Sequence, residues 1–422
     1  MIRKAKFGSA LTHFSFSNLL AQSAEQIGLA TAPLLAVFLF KASASETALL
    51  QTAQSLPFLL LAIPVGLVAD RFAKRTMLVA AEFIRATCFA IILLLMFSHQ
   101  LNLSELAMLG FIGAAGTVTY NVTSPGVIPL LADRALLSTA NSRLELARSI
   151  AFTAGPSIAG LVYSEWGGSV AYVVALTLSL SAVKLVARIP LIRVEARPRA
   201  LLAELREGFG FVFSNQHLRP ILITAVVFNT SWFIVLASFV PFAAQHLSMG
   251  SGKVGGAMAV YGVGMIVGAL STPWLARRFR FGALVLIGPI SAFIGAALMS
   301  ITIVIRSPLL VSAAFFFFGA GPVVWAAMTS TLRQSVTPPK LIGRVSSVIM
   351  TFTYGSRPLG AFIAAAVAQF FGSSACILTG LVGFSVQLAI ISISEIRHLT
   401  HVPSLASEEP HVVASLGNVK QL

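Results

Sequence analysis

The sequence predicts an all-α integral membrane protein with twelve transmembrane helices arranged as two pseudo-symmetric six-helix bundles. The chain is 57% hydrophobic with only 10% charged residues, whereas a soluble globular domain carries about 25% charged residues. Its 422 residues divide into about a dozen apolar runs, and most approach the roughly 20 residues that a helix needs to cross the hydrocarbon core. The two halves of the chain also share a weak internal repeat.

The apolar runs define the predicted spans in order along the chain. The very short connections at 41–47, 164–169 and 306–308 join spans that must be antiparallel neighbours. They leave no room for a soluble domain on that side of the membrane. The predicted spans are 14–40, 48–68, 76–97, 105–128, 146–163, 170–189, 221–244, 254–276, 282–305, 309–330, 345–371 and 374–393.

Positive charge is concentrated at one membrane face of this arrangement. Of the 29 lysines and arginines, 23 lie at that face. The other six lie within spans or at the opposite face: Lys41, Arg85, Arg148, Lys253, Arg306 and Arg357. By the positive-inside rule, this asymmetry predicts that both termini are cytoplasmic. It also accounts for the net charge of +15 without a nucleic-acid partner.

Composition sets the predicted domain boundaries. An N-terminal bundle over 1–189 and a C-terminal bundle over 221–394 flank a basic segment at 190–220. Apolar residues recur at helical spacing in that segment, which predicts either an amphipathic helix on the cytoplasmic leaflet or a solvated linker helix. The polar residues 395–422 predict a disordered cytoplasmic tail.

The internal repeat relates the fifth and eleventh spans. The sequences GPSIA at 155–159 and RPLGA at 357–361 lie 202 positions apart, and a basic turn at 277–280 resembles another at 71–75. Two parallel six-helix halves account for this pattern. A substrate cavity is then expected at the membrane midplane between the halves, which open it to alternate sides by rocking.

A short charged sequence, GLVADRFAKR, joins the second and third spans. Its characteristic residues are Gly66, Asp70, Arg71, Lys74 and Arg75. Such a turn can contact a neighbouring helix end or anionic headgroups. Together with the repeat, it resembles the loop between spans two and three of the major facilitator superfamily, with Ala73 in place of a glycine. The resemblance covers nearly the whole chain and implies the major facilitator fold and a gating loop. The alternative is a plain topogenic turn.

The fifth span contains a second motif, AGPSIAG, with Gly155, Pro156 and Gly160. The proline removes a backbone donor and kinks the helix, and the glycines allow close helix approach. The motif resembles the Gly-Pro motif of proton-coupled antiporters, with Ala159 where a glycine is often found. That resemblance implies a seal against leak at the outward end of the cavity.

Three further stretches resemble the exporter branch that contains enterobactin exporters and macrolide efflux proteins. They are ANSR with LARS at 140–149, ELREG at 204–208, and GRV with RPLG at 343–360. This resemblance implies export of an amphipathic small molecule such as a siderophore or a drug.

Glu25 is the leading candidate for coupling transport to protons. It lies in the middle of the first span, flanked by Gln22 one turn before it and by Gln26 next to it, so two polar side chains share its helical neighbourhood. An ionised carboxylate is costly at this depth, so it must face water or be protonated for part of a cycle. The alternative is a permanent ion pair with a partner such as Arg148.

Other charged residues in the spans are candidates for structural pairs or for substrate contact. Glu82 and Arg85 are three residues apart, as are Glu145 and Arg148, so each pair can interact along one helix. We expect pairs linked to the gate, with a substrate site as the alternative. Arg357 has no acid in its own helix, so it must contact carbonyls, another helix or an anionic substrate.

Polar and aromatic residues at membrane depth are candidates for lining the cavity: Tyr120, Asn121, Asn229 and Trp232. The two aromatic residues can stack on a planar ligand, although aromatic residues in spans more often pack or anchor the helix. The histidines and the two cysteines form no metal-ligand or disulfide pattern. We therefore expect no metal, no cofactor and no enzymatic activity.

Together, these observations predict a monomeric, proton-coupled efflux antiporter in a bacterial inner membrane. Its expected partners are protons, a small-molecule substrate and the lipid bilayer. Two alternatives stay open at this point. One is proton-coupled uptake, or lipid flipping, on the same fold. The other is a sensor or assembly partner that has lost transport.

Overall fold

The computed structural model describes residues 2–131, 137–189, 201–338 and 341–403, which form thirteen α-helices and a few short 3-10 and π-helical turns. The helices are α1 (Ile2–Leu34), α2 (Ala44–Leu60), α3 (Ala62–Arg71), α4 (Lys74–Phe97), α5 (Leu103–Thr123), α6 (Ile128–Leu131), α7 (Leu137–Val186), α8 (Leu201–Ser214), α9 (Leu218–Gln245), α10 (Ser251–Arg278), α11 (Phe281–Ile301), α12 (Pro308–Val336) and α13 (Ile342–Ile393).

Eight segments within these helices are long and apolar enough to cross a membrane. Two of them, in α7 and α13, each hold two predicted spans, because Gly167 (φ 83°) and Gly372 (φ 78°) interrupt the helical backbone. With α1 and the α2–α3 pair, the described residues provide twelve spans. The all-α fold of twelve transmembrane helices is therefore confirmed.

The chain divides into two compact units, which are described separately. The first unit comprises Met1–Arg197 and Val240–Ala259, and the second comprises Pro198–Phe239 and Val260–Leu422. In the first unit, α1 packs on α7, and α4 packs on both α5 and α7. In the second unit, α11 packs on α12 and α13, and α8 packs on α13. The segment Val240–Ala259 groups with the first unit, although the sequence assigns it to the C-terminal bundle.

The backbone at Gly372 supports a prediction about stability. Its positive φ lies in a region that only glycine adopts easily, and no atom within 4 Å would obstruct a Cβ there. We expect Gly372→Ala to lower the free energy of unfolding by about 1–3 kcal/mol through backbone strain alone. Gly343→Ala, near the start of the same helix, is the control, because it also has open space and no positive φ. Equal unfolding temperatures in detergent for the two variants would contradict the prediction.

The connecting segment ends in α8, which packs against the beginning of α13. Glu207 is ion-paired with Arg344. The ring centroid of Phe209 lies 4.2 Å from that of Phe213 and 5.9 Å from that of Phe352. These contacts attach the described part of the segment to the second unit. Residues 190–200 lie outside the described residues, so the choice between a leaflet-bound helix and a linker helix stays a prediction.

The beginning of the predicted tail packs against the second unit. Glu395–His398 forms a 3-10 helix whose Ile396 is fully buried. The backbone N–H groups of Phe281 and Gly282 donate to the carbonyls of Thr400 and Leu399, which satisfies the first donors of α11. The expected disorder is therefore wrong for these residues, because they cap a helix. Residues 404–422 lie outside the described part of the chain.

Candidate functional site

Three charged side chains meet inside the first unit and are called the charged cluster here. Glu25 lies on α1, and Glu82 and Arg85 lie one turn apart on α4; their exposed fractions are 8%, 0% and 3%. Arg85 Nη2 is ion-paired with Glu82 Oε1, and Arg85 Nη1 lies 3.6 Å from Glu25 Oε2. One guanidinium therefore contacts two carboxylates. The sequence suggests Arg148 as a partner for Glu25 but does not identify this contact with Arg85.

Two hydroxyl groups hold the charged cluster in place. Thr117 Oγ1 on α5 accepts a hydrogen bond of 3.0 Å from Arg85 Nη1. Ser179 Oγ on α7 donates to Glu82 Oε2 at 3.0 Å. Both oxygens of Glu82 are thus engaged at close range, while Glu25 is held by a longer ion pair. Of the two carboxylates, Glu25 is the one whose contact with Arg85 is easier to break.

Close helix packing brings these side chains together. A Cβ added to Gly28 would lie 2.9 Å from the ring of Phe89, so α1 approaches α4 one turn from Glu25. A Cβ added to Gly116 would lie 2.6 Å from the carbonyl oxygen of Ala81, so α5 approaches α4 next to Thr117. Larger residues at these positions would separate the helices that carry the charged cluster.

The predicted polar neighbours of Glu25 also make specific contacts. Gln22 Nε2 donates to Asn121 Oδ1 at 2.9 Å, which links α1 to α5. Gln26 is buried, and its Cβ occupies the space where a Cβ on Gly155 would lie. The residue that precedes Pro156 thus packs directly against the neighbour of Glu25.

The other glycine of the Gly-Pro motif makes a second close contact. Gly160 on α7 and Gly255 on α10 touch through their backbones, and a Cβ on either would overlap the other residue. We call these two residues the glycine pair. Both belong to the first unit. The motif therefore sits where α7 packs tightly against both α1 and α10.

The charged sequence between the second and third spans forms a short turn at Phe72 and Ala73, because α3 continues to Arg71. Lys74 Nζ donates to the carbonyl of Ala69 at 2.7 Å, and Arg75 Nη1 donates to the carbonyl of Ile189 at 3.1 Å. Both bases thus bind carbonyls at helix carboxyl ends, where positive charge is favourable. The side chains of Asp70, Arg71 and Glu145 lie outside the described residues, so their roles stay predictions.

In the second unit, Arg357 contacts aromatic rings. Its guanidinium carbon lies 4.2 Å from the ring centroid of Tyr354 and 5.5 Å from that of Phe233. These are favourable cation–π distances. Asn229 donates to the carbonyl of Ala225 in its own helix at 3.0 Å.

The structure shows the surroundings of two predicted cavity residues, Tyr120 and Trp232. Tyr120 is 1% exposed and belongs to the core of the first unit with Phe14 and Leu78, so its role in lining a cavity stays a prediction. The ring of Trp232 is stacked on Tyr261 with centroids 5.3 Å apart. A planar ligand would have to displace that partner or use the opposite face. Arg148 is exposed on α7.

Comparison with known proteins identifies the family of this chain. A family model described as transmembrane secretion effector matches residues 25–420. The chain belongs to the transmembrane secretion effector family. Macrolide efflux protein A of Streptococcus pyogenes is 22% identical over 356 residues, which are 82% of this chain and 86% of the relative. Multidrug efflux pump Tap of Mycobacterium tuberculosis is 24% identical over 417 residues, or 94% and 96% of the two chains.

Solved structures show the same fold. The nucleoside transporter NupG has a TM-score of 0.72 at 13% identity, over 91% of this chain and 98% of NupG. A POT family transporter in complex with 5-aminolevulinic acid has a TM-score of 0.74 at 10% identity, over 91% and 96% of the two chains. By its family, this chain is a multi-pass major facilitator transporter and not an enzyme, and the two curated relatives named above are efflux proteins.

Several residues of the site in this family member were not identified from the sequence. Thr117 and Ser179 bind the charged cluster from other helices, 32 and 97 residues away from their partners along the chain. Gln54 on α2 is 5% exposed and lies near the same cluster. Single polar residues of this kind recur throughout the spans, so no local spacing distinguishes them. Only the packing of helices reveals their partners.

Proposed function

We propose that this protein is a proton-coupled exporter of small amphipathic molecules that works by alternating access in the plasma membrane of a bacterium. The family and its macrolide and multidrug efflux relatives support the direction of transport and the substrate class. A siderophore or a macrolide-like drug fits that class. In this proposal the protein works as a monomer with both termini in the cytoplasm, as the distribution of positive charge favours.

The observation that carries the proposal is the unequal binding of two buried carboxylates to one arginine. Glu82 is engaged through both oxygens, whereas Glu25 Oε2 lies 3.6 Å from Arg85 Nη1. A proton that binds Glu25 removes its charge and leaves the Glu82–Arg85 pair intact. Loss of that proton restores the attraction between Glu25 and Arg85. The protonation of one side chain thus changes the force between α1 and α4.

Because protonation changes the attraction between Glu25 and Arg85, the proton can bind two conformations with different affinities. A transport cycle needs such a difference, since a ligand shifts a conformational equilibrium only when it binds the two states unequally. A substrate with a cationic group would favour the ionised form of Glu25 and so promote release of the proton. Proton binding and substrate binding then oppose one another, which is antiport. Gly155 packs against Gln26, so a movement of α1 near Glu25 would displace the Gly-Pro motif.

The test is Glu25→Gln in proteoliposomes that carry a pH gradient. We expect substrate-driven proton movement to fall at least about tenfold, because glutamine keeps the shape of the side chain but binds no proton. Glu105→Gln is the matched control, since Glu105 caps the start of α5 and glutamine also serves in a capping box. Efflux that stays proton-dependent in Glu25→Gln would exclude Glu25 from the mechanism.

The alternatives of uptake or lipid flipping predict another direction of transport or another substrate. Counterflow in inverted vesicles distinguishes them, with a panel of siderophores, antibiotics and dyes as substrates. A sensor without transport would show no flux with any of these compounds. It would also show no phenotype that depends on Glu25.

A further inference from the structure

A narrow crevice lies within the first unit and reaches the charged cluster. It has a volume of ≈ 50 Å³, enough for about three water molecules if each needs roughly 10–15 Å³. Helices α1, α2, α4, α5 and α7 all contribute to its walls. Its walls include Glu25, Gln54, Arg85, Cys88, Leu106 and Gly113.

The crevice runs from the charged cluster toward one end of the bundle. Thr117 and Arg85 mark its inner end, and Leu106, three residues after the start of α5 and fully buried, closes its outer end. The eleven residues from Leu106 to Thr117 correspond to roughly 16 Å along the helix axis. The outer end lies at the face where α4 ends and α5 begins. The distribution of positive charge predicts that this face is periplasmic.

Gln54 gives one wall of the crevice a polar group, whereas most of the lining is apolar. The side chain is 5% exposed, and within the described part of the chain its Oε1 has no hydrogen-bond donor. A buried amide oxygen without a partner costs free energy, so such groups are normally bound by ordered water. The unsatisfied oxygen therefore indicates that water enters the crevice near α2.

We infer that this crevice holds water and that, when Leu106 moves aside at its closed outer end, it becomes a passage that delivers protons from the periplasmic face to Glu25. This inference rests on the proposed proton coupling and adds a route that is contained within the N-terminal bundle. Protons would then reach Glu25 without passing through the substrate cavity. The titratable groups around Glu25 on the packed helices are Glu82, Arg85 and Cys88 on α4, Tyr120 on α5 and Tyr172 on α7.

The native cysteines provide a direct test for water. The chain contains two, and both are free, buried thiols. Cys88 is 4% exposed and lines the crevice, whereas Cys376 lies in the second unit, is 0% exposed, and donates its thiol to the carbonyl of Ala364 at 3.3 Å. We expect the small, water-soluble reagent 2-aminoethyl methanethiosulfonate to modify Cys88 at least about tenfold faster than Cys376, because thiol reactivity follows access. Intact mass of Cys376→Ser and Cys88→Ser single variants gives each rate separately.

Filling the crevice should slow both labelling and proton delivery. A Cβ on Gly113 would meet only Cys88 Cβ, at 3.8 Å, so Gly113→Ala fits and Gly113→Leu fills the space beyond it. We expect the rate of Cys88 modification to fall from wild type to Gly113→Ala to Gly113→Leu. Gly113→Ala keeps the test valid if the leucine variant does not fold.

Gln54→Met removes the polar wall at nearly constant volume. We expect proton uptake on a pH jump to slow at least about tenfold while substrate binding at equilibrium stays unchanged. Gln51→Met is the matched control, because Gln51 is 7% exposed on the same helix and does not line the crevice.

The outcomes separate this inference from the proposed function. Cys88 that is as inert as Cys376, or that reacts only with a lipophilic maleimide, would overturn the water passage. Normal proton uptake in Gln54→Met and Gly113→Leu would also overturn it, even if Glu25→Gln abolishes coupling and so supports the proposed function. Proton-dependent efflux in Glu25→Gln would instead remove the proposed function, whatever the labelling shows.

Discussion

Replacing Arg85 by methionine is expected to destabilise the first unit by about 3–5 kcal/mol, because it leaves a buried carboxylate without its partner. Glu82 is 0% exposed, and its Oε1 depends on Arg85. Removing the arginine also removes the donor to Thr117 Oγ1 and the cation that faces Glu25. We expect a large fall in the unfolding temperature in detergent and a low yield of folded protein.

A second substitution distinguishes this electrostatic cause from lost packing. Glu82→Gln in the Arg85→Met background removes the uncompensated charge, so the double variant should recover part of the lost stability. Arg188→Met, in the exposed turn just after α7, is the control, and substitutions at such positions usually change stability by less than about 0.5 kcal/mol. A double variant that is no more stable than Arg85→Met would show that packing, not charge, dominates.

The second large effect is expected at the glycine pair. Gly160 and Gly255 touch through their backbones, so Gly160→Leu must push α7 away from α10. Overpacking of this kind costs about 1–3 kcal/mol or more. Because α7 also packs on Gln26 beside Glu25, we expect efflux to fall at least about tenfold in protein that still inserts into the membrane.

Gly256→Leu is the matched control for Gly160→Leu. Gly256 is the next residue after Gly255, but it is exposed, and a Cβ there would meet no atom within 4 Å. Efflux should be measured in vesicles and normalised to the amount of folded protein. Equal loss of efflux in the two variants would indicate a general effect of added bulk and would contradict a special role for the glycine pair.

The fold could be predicted from the sequence because its main cause is local. Each span is a run of apolar residues, and the cost of exposing backbone groups to lipid forces every run to be helical. The short segments at 164–169 and 306–308 correctly suggested tight reversals. The apolar runs did not reveal that a single glycine, such as Gly167, interrupts a helix. The only trace of its positive φ in the sequence is the glycine itself, and glycine is common in the spans.

The candidate site was predictable only in part. Glu25 stands out because a carboxylate in the middle of a span is rare and costly. Its contact with Arg85 and the support from Ser179 depend on which faces of α1, α4 and α7 meet, and a single sequence contains no such information. For the same reason the sequence leaves the role of Tyr120 open, since a tyrosine that faces a ligand and one that packs in the core cannot be told apart by residue type.

The contacts of Lys74 and Arg75 restrict how this loop can evolve. In the proposed topology these bases favour retention of the loop on the cytoplasmic side during synthesis, and in the folded protein they bind carbonyls at the ends of α3 and α7. Selection would therefore act against substitutions at both positions even in a descendant that no longer transports a substrate. Conservation of these two basic residues among distant descendants would therefore not indicate that transport activity has been conserved.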